Sequence, residues 1–277
     1  MKKLIIQLSV FTTLVVLLSV TILYVLREVQ LKKTWKVNSS KKHILFIGDS
    51  HIEVSVNDHY SNHYYTLAES GDCYLYTFCK FNRFIEANPQ FDTIYLRIDC
   101  HNIDKTSEEW STRQSYLDFK FPSCFPYLKN DDIQTLYTLN PIGFIKSIPY
   151  LLTVSDKESK TEYLKSFGSY KPIDSVVQLK DLYKELKSED VNITSDIQFL
   201  YLEKIRALCK EKGKVLILIT VPIHKSVIRN SVLETKLEQY VVRNNILYLN
   251  YRDYNISDDG YSDKFHLNKK GSHEFTN

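Results

Sequence analysis

The sequence predicts an α/β fold: a three-layer α/β/α sandwich on a parallel, flavodoxin-like sheet of four to five strands. Two observations predict it. Short, continuous apolar runs recur along the chain, each closed by Gly, Pro or polar turn residues. Between several of them lie stretches with apolar residues at helical spacing. Runs that short and that apolar fit strands buried on both faces. Strands alternating with helices require right-handed crossovers, which place helices against the sheet.

The first strand is read at His43-Ile44-Leu45-Phe46-Ile47, ended by Gly48-Asp49-Ser50. A second, short strand is placed at residues 64–67. Residues 73–88 carry Leu75, Phe78, Cys79, Phe81, Phe84 and Ile85 at helical spacing, and Asn88-Pro89 ends that helix. Residues 93–98 form the third strand. Ser195-Asp196 caps an amphipathic helix through Ile197, Leu200, Ile205, Leu208 and Cys209, closed by Gly213. Val215-Leu216-Ile217-Leu218-Ile219 is the clearest strand and leads into Val221-Pro222. A helix over residues 232–243 and a strand over 246–249 complete the alternation. Residues 103–195 mix aromatics, Pro and charge without a sustained period. They read as an insertion of helices and loops, set over the functional face. No internal repeat or low-complexity tract is present.

Residues 4–26 are almost entirely apolar and carry no charge. At ~1.5 Å per residue they span about 34 Å, enough for the hydrocarbon core of a bilayer. The run passes into Val25-Leu26-Arg27-Glu28 without a small-residue cleavage site, which points to an uncleaved anchor rather than a signal peptide. The chain thus divides into a basic tail and transmembrane signal-anchor over 1–26, a polar basic tether over 27–42, and a domain over 43–277. The tail before the anchor is tiny and basic, so the domain is expected outside the cytoplasm; the basic residues after Leu26 argue the other way.

A chain of 277 residues with 43% hydrophobic content supports one sizeable core. With 7 Gly and 7 Pro it is neither fibrous nor of disordered composition. The net charge of +3 is small and spread along the chain, which excludes a nucleic-acid footprint. The 20 tyrosines serve packing, or line a carbohydrate or peptide cleft. Cys73, Cys79, Cys100, Cys124 and Cys209 form no C-x-x-C pair and match no zinc spacing. Most are expected as small buried hydrophobes, with one or two bridges open to an exported domain.

Functional groups on such a sheet gather beyond the C-terminal strand ends. There, Gly48-Asp49-Ser50-His51 follows the first strand and holds a hydroxyl at the rim. A serine hydroxyl is protonated at neutral pH and needs a base. An imidazole supplies one, and a carboxylate fixes its tautomer. Asp263-Lys264-Phe265-His266 places both groups within one tight turn. Taken alone, Gly-Asp-Ser is also a plain turn, and Asp263 is also a helix-start cap beside a surface His266.

Together these residues resemble the SGNH, or GDSL, hydrolase superfamily: Gly-Asp-Ser ends the first strand, and Asp-x-x-His lies far downstream. Ala68-Glu69-Ser70-Gly71-Asp72 is similar to that family's second block, and Cys100-His101-Asn102 to its third. The resemblance implies Ser50 as nucleophile, His266 as base and Asp263 as its orienting carboxylate. It also implies an oxyanion hole from the N–H of Ser50, the N–H of Gly71 and the amide of Asn102, without metal or organic cofactor. The sequence departs from the pattern at His51, where the family has Leu, and around Asn102, which lacks the usual preceding Gly and following Asp. Asn102 also reads as a helix cap and Gly71 as relief for a tight turn. His224 follows Val221-Pro222-Ile223 near the cleft rim and is not placed in the site.

The expected activity is hydrolysis of an acyl, above all acetyl, ester, with an acylated small molecule or cell-envelope glycan as substrate. Two rivals stay open: an O-acyltransferase using the same residues, and a non-catalytic anchored module that binds glycan or a partner.

Overall fold

The structure is a computed structural model of the 277-residue chain, describing residues 2–31, 36, 37, 39, 41–153, 168–183 and 193–277. The described residues form five strands: β1 Ile44–Ile47, β2 Tyr64–Thr66, β3 Thr93–Arg97, β4 Val215–Thr220 and β5 Leu247–Asn250. All pair in parallel, in the order β2-β1-β3-β4-β5. This is the flavodoxin-like order, and it reverses between β1 and β3, where a crevice opens beyond the strand ends. Each predicted strand is present, its ends shifted by a residue or two.

The helices are α1 Lys2–Leu31, α2 Ser50–Ser55, α3 Tyr74–Ala87, α4 Cys100–Ile103, α5 Glu109–Thr112, α6 Gln114–Cys124, α7 Asn130–Leu139, α8 Pro141–Ser147, α9 Tyr150–Thr153, α10 Leu179–Leu182, α11 Asp196–Glu211, α12 Ser231–Asn244 and α13 Lys269–Thr276. Alternate strand residues face opposite layers. Leu45, Leu96 and Leu218 meet Phe81 and Phe84 of α3, Ile205 of α11 and Leu237 of α12 in the main core. Phe46 and Tyr95 point the other way and stack at 4.7 Å, with Ile52 of α2 and Phe275 of α13 in the same smaller core. Ser272 and Thr276 of α13 donate their hydroxyls to the Ser55 carbonyl at 3.1 and 3.0 Å, closing α13 onto α2.

The predicted insertion begins and ends at one spot. Asp104 and Thr194 form an antiparallel bridge, Lys105 N–H reaches Ile193 O at 2.8 Å, and Ser195 N–H reaches Ile103 O at 2.9 Å. Of that segment, 154–167 and 184–192 lie outside the described residues.

Helix α1 contains the whole predicted apolar segment and runs on to Leu31, so the first residues of the predicted tether are helical. No Gly or Pro interrupts it, and the hydroxyls of Thr12, Thr13, Ser19 and Thr21 return to carbonyls four residues back. Polar groups satisfied within the helix add little cost in hydrocarbon. Residues 2–19 have a mean hydropathy of 1.6, and none of the side chains described there is buried. The helix is long and apolar enough to cross a membrane. All five cysteines are free thiols, four of them buried. Burial pushes Cys124 and Cys209 up to about 12, leaving them poor nucleophiles.

Candidate active site

The site starts from the turn after β1. Gly48 has φ +146°, and a Cβ there would lie 2.8 Å from Arg97 Cβ, so only glycine passes. The chain then turns into α2, with Asp49 as its cap: a carboxylate oxygen accepts the His51 N–H at 3.0 Å. Ser50 therefore opens α2 at the crevice.

Its hydroxyl lies 2.8 Å from His266 Nε2. His266 sits in a loop closed by Ser262 N–H to His266 O and by Asn268 N–H to Gly260 O, both 2.9 Å. Asp263 shapes that loop. Its Oδ1 accepts the N–H of Phe265 at 2.7 Å and of His266 at 2.9 Å, and its Oδ2 lies 2.8 Å from His266 Nδ1. With Nδ1–H held by the carboxylate, Nε2 turns its lone pair to the serine, the tautomer a base requires. Burial pushes the Asp263 carboxyl up, but the His266 hydrogen bond and charge, with the two N–H donors, outweigh it and hold it below its ordinary value. His224 braces the loop from behind. Its N–H reaches Lys264 O at 3.0 Å, and its ring lies 2.7 Å from Ser226 Oγ and 5.1 Å from the Tyr261 ring centroid.

Asn102 sits in a polar network beside the turn that carries Ser50. Its Oδ1 accepts from Arg97 Nη1 at 2.5 Å and from Asp99 N–H at 3.1 Å, completing a capping box at the start of α4. Its Nδ2 donates to Asp49 Oδ2 at 3.0 Å, which leaves one amide hydrogen. Arg97 is 1% exposed and also binds Asp49 at 2.6 Å and Asp99. Burial works against its charge, and those two carboxylates outweigh it, raising its affinity for the proton. A cavity of about 10 Å³ lies beside Asp49, Asp72, His101 and Asn102.

Gly71 sits at φ +76° in a loop stitched to the turn after β1. Glu69 N–H donates to Gly48 O at 3.2 Å, and Ser70 N–H to Glu53 of α2 at 2.9 Å. Two buried lysines clamp the same loop. Lys80 of α3 binds Glu69 at 2.9 Å and Asp72, while Lys120 of α6 binds them at 3.1 and 2.8 Å. Among the described residues the N–H groups of Ser50 and Gly71 make no hydrogen bond. The insertion thus buttresses this loop through Lys120.

No family model matches the chain, and no curated protein matches it. Among solved structures it is similar to a protein named as an acylhydrolase from Bacteroides fragilis, at 15% identity over 88% of this chain and 87% of that one, with a TM-score of 0.40. It is also similar to one named as a GDSL-like lipase from Bacteroides thetaiotaomicron, at 14% identity over 86% and 85%, with a TM-score of 0.38.

Sequence reasoning selected Ser50, Asp263 and His266, and the fold brings these three into one hydrogen-bonded chain. It missed Arg97, Lys80 and Lys120, and it named Glu69 and Asp72 within the second block without their ionic role. An arginine at the end of an otherwise apolar strand was the available signal for the first. It also left His51 without a role. The buried His51 ring lies 4.6 Å from the His266 ring, and its Nδ1 has no hydrogen-bond partner among the described residues. Burial, then the charges of Arg97 and His266, push its imidazole well below the ordinary 6.5. The folded protein therefore keeps His51 neutral, while the unfolded chain takes up a proton below about 6.5. The unfolded state binds more protons there, so stability is lost as pH falls through that value. His51→Leu is expected to flatten this loss by about 1 kcal/mol one pH unit below that value. Urea midpoints of both proteins at neutral and mildly acidic pH measure it; equal slopes would mean that His51 titrates alike folded and unfolded.

Proposed function

We propose that the chain is an acyl-ester hydrolase of SGNH type. The observation that carries this reading is the unbroken chain from Ser50 Oγ to His266 Nε2 at 2.8 Å and from His266 Nδ1 to Asp263 at 2.8 Å. Ser50 Oγ attacks the ester carbonyl while its proton passes to His266 Nε2. The oxyanion meets the N–H groups of Ser50 and Gly71 and the remaining Asn102 amide hydrogen. Collapse expels the alcohol, which leaves with the proton from His266. Water then repeats the sequence on the acyl-serine and releases the acid.

An acetylated cell-envelope glycan fits this chemistry as substrate, with α1 as a single-pass anchor and residues 43–277 outside the cytoplasm. A fluorophosphonate probe should label Ser50 in the native protein and leave Ser50→Ala unlabelled. A folded protein that takes no label would favour the non-catalytic module instead. Product analysis with water and a glycan acceptor then separates hydrolysis from acyl transfer.

A further inference from the structure

We propose that the exposed apolar face formed by α8 and the end of α7 lies on a lipid bilayer, the one that α1 enters. The proposal rests on the reading of α1 as the membrane anchor. Ile142 is 69% exposed and Ile145 57% exposed. They stand three apart on α8 and so share one face. Tyr137, at the end of α7, is 47% exposed. These side chains do not belong to a frayed end. Behind them Phe144 packs against Phe121 at 4.8 Å and Tyr137 at 6.0 Å, and Gly143 and Ser147 are buried.

The sequence around this face is depleted of charge. Between Asp132 and Asp156 the only charged residue is Lys146. Apolar side chains with a tyrosine and a flanking lysine suit a bilayer interface, where the tyrosine ring sits at headgroup level and the lysine reaches outward from its apolar stem. Position selects the bilayer as well. Helix α1 touches the 3₁₀ turn Phe125–Tyr127, which immediately precedes α7, while residues 2–19 stand clear of the domain. A membrane entered by α1 thus adjoins the helical module that carries Ile142 and Ile145.

Photocrosslinking of the full chain in vesicles of phosphatidylcholine and phosphatidylglycerol tests this without reference to catalysis. A benzoylphenylalanine replaces, one at a time, Ile142, Ile145, Leu14 of α1, and Ile228, which is 75% exposed in the loop after β4. Lipid adducts are expected at 14, 142 and 145, and none at 228. Adducts at 14 alone, equal yields at 142 and 228, or adducts at 142 and 145 to a second copy of the chain would overturn the proposal. Loss of the adduct at 14 would overturn the anchor reading beneath it.

Discussion

Ser50→Ala and His266→Ala are each expected to cut turnover of a simple acetyl ester by at least ~10³-fold, about 4 kcal/mol of barrier. The double variant should be little worse than either single one, because a nucleophile without its base and a base without its nucleophile fail at the same step. Single-turnover rates of the four proteins give the cycle directly. Multiplicative losses would show that the 2.8 Å contact between Ser50 and His266 is not a catalytic pair. Asp263→Asn should lose activity while still labelling slowly at Ser50, since it leaves the hydroxyl and removes the group that sets the tautomer.

Arg97→Met is expected to be the most destabilising single change in the domain. Arg97 is the shared counter-charge of Asp49 and Asp99 and also donates to Asn102. Methionine fills much of the volume but leaves two buried carboxylates facing each other. Breaking such a pair by removing one partner costs about 3–5 kcal/mol. Arg97→Lys should recover only part of this, because a point charge cannot serve three acceptors in a fixed fork. Urea denaturation of the three proteins measures the order. A midpoint for Arg97→Met within about 1 kcal/mol of wild type would mean that the carboxylates are protonated or hydrated in place.

The sheet was legible because its strands are local: Leu45, Ile47, Leu96 and Leu218 announce burial within a few residues of sequence. Ser50 and His266 were legible because each belongs to a short motif, and Asp263 lies within the same turn as His266. The ionic clamp was not. Lys80 and Lys120 look like surface lysines on helices, and only tertiary packing shows that both reach Glu69 and Asp72. Asn102 was read for its amide donor, yet its hydrogen bonds with Arg97 and Asp49 form only after β1 and β3 pair. The insertion stayed opaque because α5 and α9 span four residues each, too few to establish a period, and the longer α6 carries Pro122 within it.

The distance along the chain between Ser50 and His266 has a consequence for synthesis. Ser50 and His266 are 216 positions apart. At ordinary elongation rates the ribosome needs roughly 10 to 40 s to travel that far. Throughout that time Ser50 exists without its His266 partner. His266 arrives only with the stretch that leads into α13, the helix that closes onto α2. The contact between Ser50 and His266 therefore forms late: the turn after β1 is long since made when the stretch that leads into α13 reaches it.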